Sequence, residues 1–241
     1  MTWLVVASEQ DLAARWAAER LIAAGLSPLG FVTDTDLAGA TWQHRVGDET
    51  LRTQLTLADG RRIDSGEVQG TLNRLFHVPA SSVAGLAQDD RMYALQEFTA
   101  LVLSWLASLP GPILNPPDPR GLCGAWRPPA EWALLAAHAG LQSLPVTAGN
   151  LSPNRRDSWK AWPPFGQVIE DVLVAGEAVF ANRDLGSDMI SACLRLSEES
   201  ATPLLGLSFE GDLLAGATPL PDLRSGGEGL IAAIADAWSA T

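Results

Sequence analysis

Lysine is almost absent from this chain of 241 residues, with Lys160 its single example. Nucleotide-binding enzymes often use lysine as a point charge for phosphate, so this scarcity already weighs against a phosphate-handling role. Cysteine and histidine are also sparse. Cys123 and Cys193, and His44, His77 and His138, are scattered without metal-ligand spacing, which excludes a structural zinc site of the usual kind. They offer no Ser/His/Asp or Cys/His set for nucleophilic catalysis either. Basic residues total 16 against 28 acidic ones, giving a formal charge of -12, and the only short basic pairs are Arg61-Arg62 and Arg155-Arg156. A protein that grips nucleic acid must neutralise many phosphates, so nucleic acid is excluded as a partner class. No apolar run reaches the ~18 to 20 residues of a membrane span. The start, Met-Thr-Trp-Leu-Val-Val-Ala-Ser, lacks the positive charge and apolar length of a signal peptide. The expectation is a cytoplasmic, membrane-free protein.

What is present is a folding composition, 47% hydrophobic and 18% charged, in a length suited to one large or two small domains. Trp3 to Ala7 reads as a strand, Glu9 to Ala24 as an amphipathic helix capped by Ser8, and Pro28 to Thr33 as a second strand after Gly25. This β, α, β order starts a parallel sheet. Thr50 to Leu57 alternates apolar and polar residues, turns at Ala58-Asp59-Gly60 and continues through Arg61 to Ile63, which predicts a hairpin with one solvated face. Val68 to Leu75 follows as a strand. A long helix from Asp90 to Leu109 then carries Met92, Leu95, Phe98, Thr99, Val102, Trp105 and Leu106 along one side.

Five prolines between Leu109 and Pro119 exclude helix there and place a boundary near residue 118. A helix over Pro129 to Ala139 ends at Gly140 and leads to a strand-like Leu144 to Thr147. Residues 148–165 show no periodicity and read as an irregular loop. Order resumes with strands Gln167 to Val174 and Glu177 to Ala181, a helix from Ser187 to Glu199 capped by Ser187, a strand from Thr202 to Phe209 and a closing helix from Glu228 to Ser239. Two domains are expected, 1–118 and 119–241, in an α/β fold.

Several phrases in this order resemble the ATP-grasp ligases that modify ribosomally made peptides, a group related to the glutamate ligases. Thr71-Leu72-Asn73-Arg74-Leu75 matches a strand ending in Arg, the helix from Tyr93 with Glu97 matches the family's next helix, and Pro112-Ile113-Leu114-Asn115-Pro116 matches a strand ending in Asn. Gly140-Leu141 and Pro145-Val146-Thr147 fit a later phrase. The resemblance implies a mixed or parallel pre-grasp sheet followed by a reduced ATP-grasp-like α+β domain. It also exposes losses: the family's lysine falls on Pro129, its glutamine on Trp132 and its metal-binding aspartate on Ser208. The Glu-x-Asn-Pro-x-Pro phrase reads Gly216-Ala217-Thr218-Pro219-Leu220-Pro221. The subdomain that would carry a second lysine and the adenine linker is replaced by residues 148–165. Phosphoryl transfer depends on positioned cations, so the resemblance implies a pseudoenzyme without ATP or magnesium.

Candidate ligand or partner contacts are Asn73, Arg74, His77, Glu97, Asn115, Trp126, Trp132, Trp159 and Trp162. Arg74 either holds a carboxylate or pairs with Glu97 to pin the sheet. His77 is a loop base or a surface residue. The tryptophans either anchor a partner or fill the space left by the missing subdomain. Glu210 and Asp212 either give a substitute cation site or flank a solvated turn at Gly211. Three functions follow: a noncatalytic protein binding a peptide or a partner such as a full-length ATP-grasp enzyme; an ATP- and magnesium-dependent carboxylate-amine ligase with a variant or subunit-completed site; and a homo-oligomeric structural protein.

Overall fold

The computed structural model describes residues 2–47, 51–146 and 171–239. The chain divides into two compact units, one of Met1–Ala125 with Ile231–Thr241 and one of Trp126–Leu230.

The first unit begins β1 (Thr2–Ala7), α1 (Leu12–Ala23), β2 (Leu29–Thr33). Helix α1 starts three residues later than the Ser8 cap predicts, because Asp11 caps it: its carboxylate accepts from the Ala14 amide at 2.9 Å. A short helix that periodicity does not reveal, α2 (Asp34–Gly39), follows with a reciprocal capping box between Thr33 and Asp36. Then come β3 (Thr41–Val46), β4 (Leu51–Thr56) and β5 (Arg62–Asp64), a three-stranded antiparallel sheet where the sequence suggests a two-stranded hairpin. Strand β6 (Val68–Arg74), helix α3 (Gln88–Ala107) and the two-residue β7 (Ile113–Leu114) complete the unit's main elements.

Strands β2, β1, β6 and β7 lie in that order in one fully parallel sheet, with Val5 beside Phe31 and Leu72. Both faces are buried, which is why these strands read as continuous apolar runs. On one face Leu4 and Val6 join Val102, Trp105 and Leu106 of α3 and Leu55 and Ile63 of the small sheet in a single core. Trp3, of the opposite parity, stacks flat on Trp238 at 5.2 Å.

In the second unit α4 (Pro129–Ala139) ends at Gly140 in the left-handed conformation, as the sequence indicates. Strands β8 (Val172–Ala175) and β9 (Ala178–Ala181), helix α5 (Ser187–Glu199), β10 (Leu204–Glu210), β11 (Leu213–Thr218) and α6 (Gly227–Ser239) follow, the last helix continuing past the unit's end. Helix α5 is preceded by Gly186, with no side chain capping it, so Ser187 is its first residue and not its cap. The antiparallel sheet runs β11, β10, β8, β9. Beside it Ser143 makes an isolated parallel bridge to Leu214, and residues 144–146 form no strand; Thr147 lies outside the described residues. Trp132, Ala136, Cys193, Leu196, Leu205 and Leu207 form the core between helices and sheet. No helix among the described residues is long and apolar enough to cross a membrane.

Candidate functional site

In a parallel α/β sheet ligands commonly lie beyond the carboxyl ends of the strands. Here those ends carry Asn73 and Arg74, the last two residues of β6, and Asn115 after β7. All three are buried. The Asn73 amide group donates to the carbonyls of Asn115 at 2.8 Å and Leu122 at 2.6 Å, and its Oδ1 accepts from the Leu75 amide at 3.2 Å. Cys123 Sγ donates to the Asn73 carbonyl at 3.1 Å, and Asn115 Nδ2 to Cys123 Sγ at 3.8 Å. Asn115 sits at φ +60°, a left-handed conformation that asparagine tolerates better than most residues. These bonds fasten the 115–123 loop to the end of β6.

Arg74 does not pair with Glu97, which is exposed on α3. Its Nε donates to Asp11 Oδ2 at 2.8 Å, joining β6 to the cap of α1. Nothing in the sequence points to Asp11 in this role beyond its place before an apolar-periodic run.

The fastened loop forms one wall of a groove of about 280 Å³. Pro119, Arg120 and Leu122 stand on that side, Phe76, His77 and Val78 on the other, and Leu95, Thr99 and Leu103 of α3 form the floor. The floor residues recur at four-residue intervals, so they share one helical stripe, and Met92, 65% exposed, extends it toward the helix start. From 92 to 103 the stripe spans about 16 Å, room for roughly five residues of extended peptide. His77 is exposed beside Phe76, their rings edge to face at 6.2 Å. Arg120 is half-exposed and lies 3.5 Å from Asp118. The groove is apolar with a few polar groups at its rim, the usual character of a small-ligand or side-chain pocket, though near the ~300 Å³ lower end. Reading α3 as a single stripe hid it: Phe98, Val102, Trp105 and Leu106 pack in the core, whereas Leu95 and Leu103 border both the core and the groove and Thr99 lines the groove.

In the second unit Trp132 is 4% exposed and part of the core, with the Arg127 guanidinium 5.5 Å above its ring. Trp126 is exposed. Trp159 and Trp162 lie outside the described residues. Glu210 and Asp212 flank Gly211 at φ +64° in an exposed turn, and Asp212 lies 3.3 Å from Arg183. Among the described residues no three His, Cys, Asp or Glu side chains converge to hold a metal ion. Ser208 is buried in β10 opposite Gly216 of β11.

No family model matches the sequence, and no curated protein matches it. The arrangement of strands and helices does match solved structures. Macrocyclase MdnC from Microcystis aeruginosa MRC, bound with precursor peptide MdnA, superposes with a TM-score of 0.67 over 92% of each chain at 13% identity. The fold is that of an ATP-grasp ligase. Macrocyclase MdnB from the same organism gives a TM-score of 0.66 over 98% of each chain at 14% identity. A RiPP-associated ATP-grasp ligase of Chryseobacterium gregarium, in complex with ADP and a leader and core peptide, gives 0.65 over 99% of this chain and 96% of that one, at 10% identity. The architecture of these ligases is thus retained.

Proposed function

We propose that this chain is a noncatalytic ATP-grasp-like protein that binds a peptide, or the peptide-like segment of a partner protein, in a peptide-modification pathway. The observation that carries this reading is the chemistry at the matched ligand positions. Pro129 opens α4, Trp132 is packed into the core, Ser208 is buried in β10, and Gly216 to Pro221 offers neither carboxylate nor carboxamide. Hard cations and phosphates need charged or oxygen-rich partners, which these residues do not supply. The fold likeness to ligases solved with precursor peptides supports a peptide as ligand, and the α3 groove is an apolar place in the first unit able to take side chains.

Thermal unfolding tests both halves. A ligand that binds only the native state stabilises it by RT ln(1 + [L]/Kd), about 2.7 kcal/mol at a hundredfold excess over Kd. Millimolar ATP with magnesium is expected to leave the midpoint unmoved, and a clear rise would restore the ligase reading. Dodecapeptides selected from a displayed library on the native chain are expected to raise the midpoint. They are expected to lose at least tenfold in affinity to the Phe76→Ala/Leu103→Glu variant; equal binding by that variant would remove the groove from the reading.

A further inference from the structure

Strand β3 is the outer edge of the three-stranded sheet, paired on one side only. Its even-numbered side chains hold it firmly. Trp42 lies edge-on to Phe98 and Trp105 at 6.0 and 5.6 Å, and its Nε1 donates to the Leu37 carbonyl. His44 is bonded through Nδ1 to Thr53 Oγ1 at 2.7 Å and through Nε2 to Ser104 Oγ at 2.9 Å. Thr41, Gln43 and Arg45 therefore face the solvated side. In an antiparallel edge strand of six residues about three N–H and three C=O groups point away from the sheet. None of those in β3 has a hydrogen-bond partner among the described residues.

Exposed edges are normally blunted by proline, a bulge or an inward-pointing charge. β3 has none of these: it contains no proline, and it pairs with β4 without a shift in register from Thr41 opposite Thr56 to Val46 opposite Leu51. Its inner side chains are Trp42 and His44, and Val46, next on that side, is 74% exposed.

The charges on the outer face are equally unbalanced. Arg45 stands directly opposite Arg52, a like-charge pairing that weakens a sheet. Arg52 is neutralised by Asp64, which accepts from its Nε at 3.2 Å and its Nη2 at 2.6 Å and also from Gln54 Nε2 at 3.0 Å. Arg45 has no acidic partner among the described residues, and neither has Arg62 opposite Thr56 on β5. Asp48 and Glu49 of the β3–β4 connection lie outside those residues. A chain of net charge -12 thus presents three arginines against two carboxylates, Asp64 and Glu67, on this small face, and Arg45 is ion-paired to neither.

We propose that the free edge of β3 is a strand-addition site for an extended acidic segment of a partner polypeptide. The added main chain pairs with β3, as in other β-augmentation complexes. Its outward side chains are carboxylates, one of them seated against Arg45. Its inward side chains are apolar and continue the row of Trp42 and Val46. The site shares no residue with the α3 groove and does not depend on it.

The test uses the whole chain and a fluorescein-labelled octapeptide of alternating Glu and Val, read by anisotropy. Binding is expected, with gained hydrogen-exchange protection confined to amides of β3. Arg45→Glu, an exposed substitution, is expected to weaken it at least tenfold, whereas Leu103→Glu in the groove leaves it unchanged. Methylating the alternate amides along one edge of the probe is expected to abolish binding, and methylating those of the other edge to spare it. The proposal is overturned if the probe fails to bind, if an alternating Lys and Val probe binds equally well, or if Arg45→Glu has no effect. It is also overturned if the chain alone sediments as a dimer with β3 amides already protected, since a second copy would then occupy the edge.

Discussion

Arg74 Nε donates to Asp11 Oδ2 at 2.8 Å while the other oxygen of the same carboxylate accepts from the Ala14 amide at 2.9 Å. One aspartate therefore caps α1 and neutralises a guanidinium that is 4% exposed at the end of β6. Removing the carboxylate takes a bonded anion away from a buried cation, a loss of up to about 3 to 5 kcal/mol, with about 1 kcal/mol more for the cap. Asp11→Ala is expected to be the costlier change, and Arg74→Met the milder one, because Asp11 is nearer solvent and still caps the helix. Denaturant unfolding of both single variants and the double variant measures the coupling; a coupling below about 0.5 kcal/mol would mean the two sites act independently.

The two thiols are predicted to be unreactive in the native state. Burial pushes Cys123 up to about 12 and Cys193 up to about 11, so neither supplies thiolate near neutral pH. Labelling with a disulfide reagent at pH 8 is expected to find no thiols in the folded chain and both after unfolding. The same shifts set a pH dependence. Above pH ~9 the unfolded chain loses thiol protons that the native chain keeps, so stability falls with rising pH from ~9 toward 11 to 12. The Cys123→Ala/Cys193→Ala variant should lose this part of the alkaline slope.

Gly111 leads into β7 at φ +78°, and a Cβ there would stand 2.0 Å from the Gln69 carbonyl oxygen of the neighbouring β6. Positive φ alone costs a side chain about 1 to 3 kcal/mol, and here the obstacle is main chain that cannot swing aside. Gly111→Ala is expected to destabilise by at least that range, whereas Gly85→Ala, where nothing lies within 4 Å, should change the midpoint little. Comparable melting temperatures for the two variants would refute the argument.

Much of this architecture is legible in the residues. Trp3 to Ala7, the α3 repeat and the Pro129 to Gly140 helix announce themselves through apolar runs, period and punctuation. What stayed hidden depends on contacts distant in sequence. α2 is six residues with no stripe of its own, and it is held by the Thr33 and Asp36 capping box. β3 alternates Trp42 and His44 inward, but polar Thr41, Gln43 and Arg45 alternate with them and its partner strand must be known before the pattern means anything. Arg74 and Asp11 lie 63 positions apart, so local spacing could favour Glu97 on the next helix and still be wrong. The groove escaped notice because Leu95 and Leu103 border both the core and the groove, so the helical period shows one stripe where the fold makes two environments.

Trp132 gives the last prediction, because two readings of one residue diverge there. It occupies the position that the family resemblance assigns to a glutamine, yet it packs with Ala136, Cys193 and Leu207 and supports the Arg127 guanidinium over its ring. Replacing it by the family's residue, Trp132→Gln, removes a large buried ring and buries an amide in its place. Large-to-small changes at such sites cost about 3 to 5 kcal/mol, and a buried amide without partners adds to the loss. The variant is therefore expected to melt well below the parent and to gain no stabilisation from ATP and magnesium, while Trp132→Phe recovers most of the midpoint. A Trp132→Gln chain that keeps its stability and acquires a nucleotide-dependent rise in melting temperature would show that this position still belongs to a nucleotide site and that its packing is dispensable.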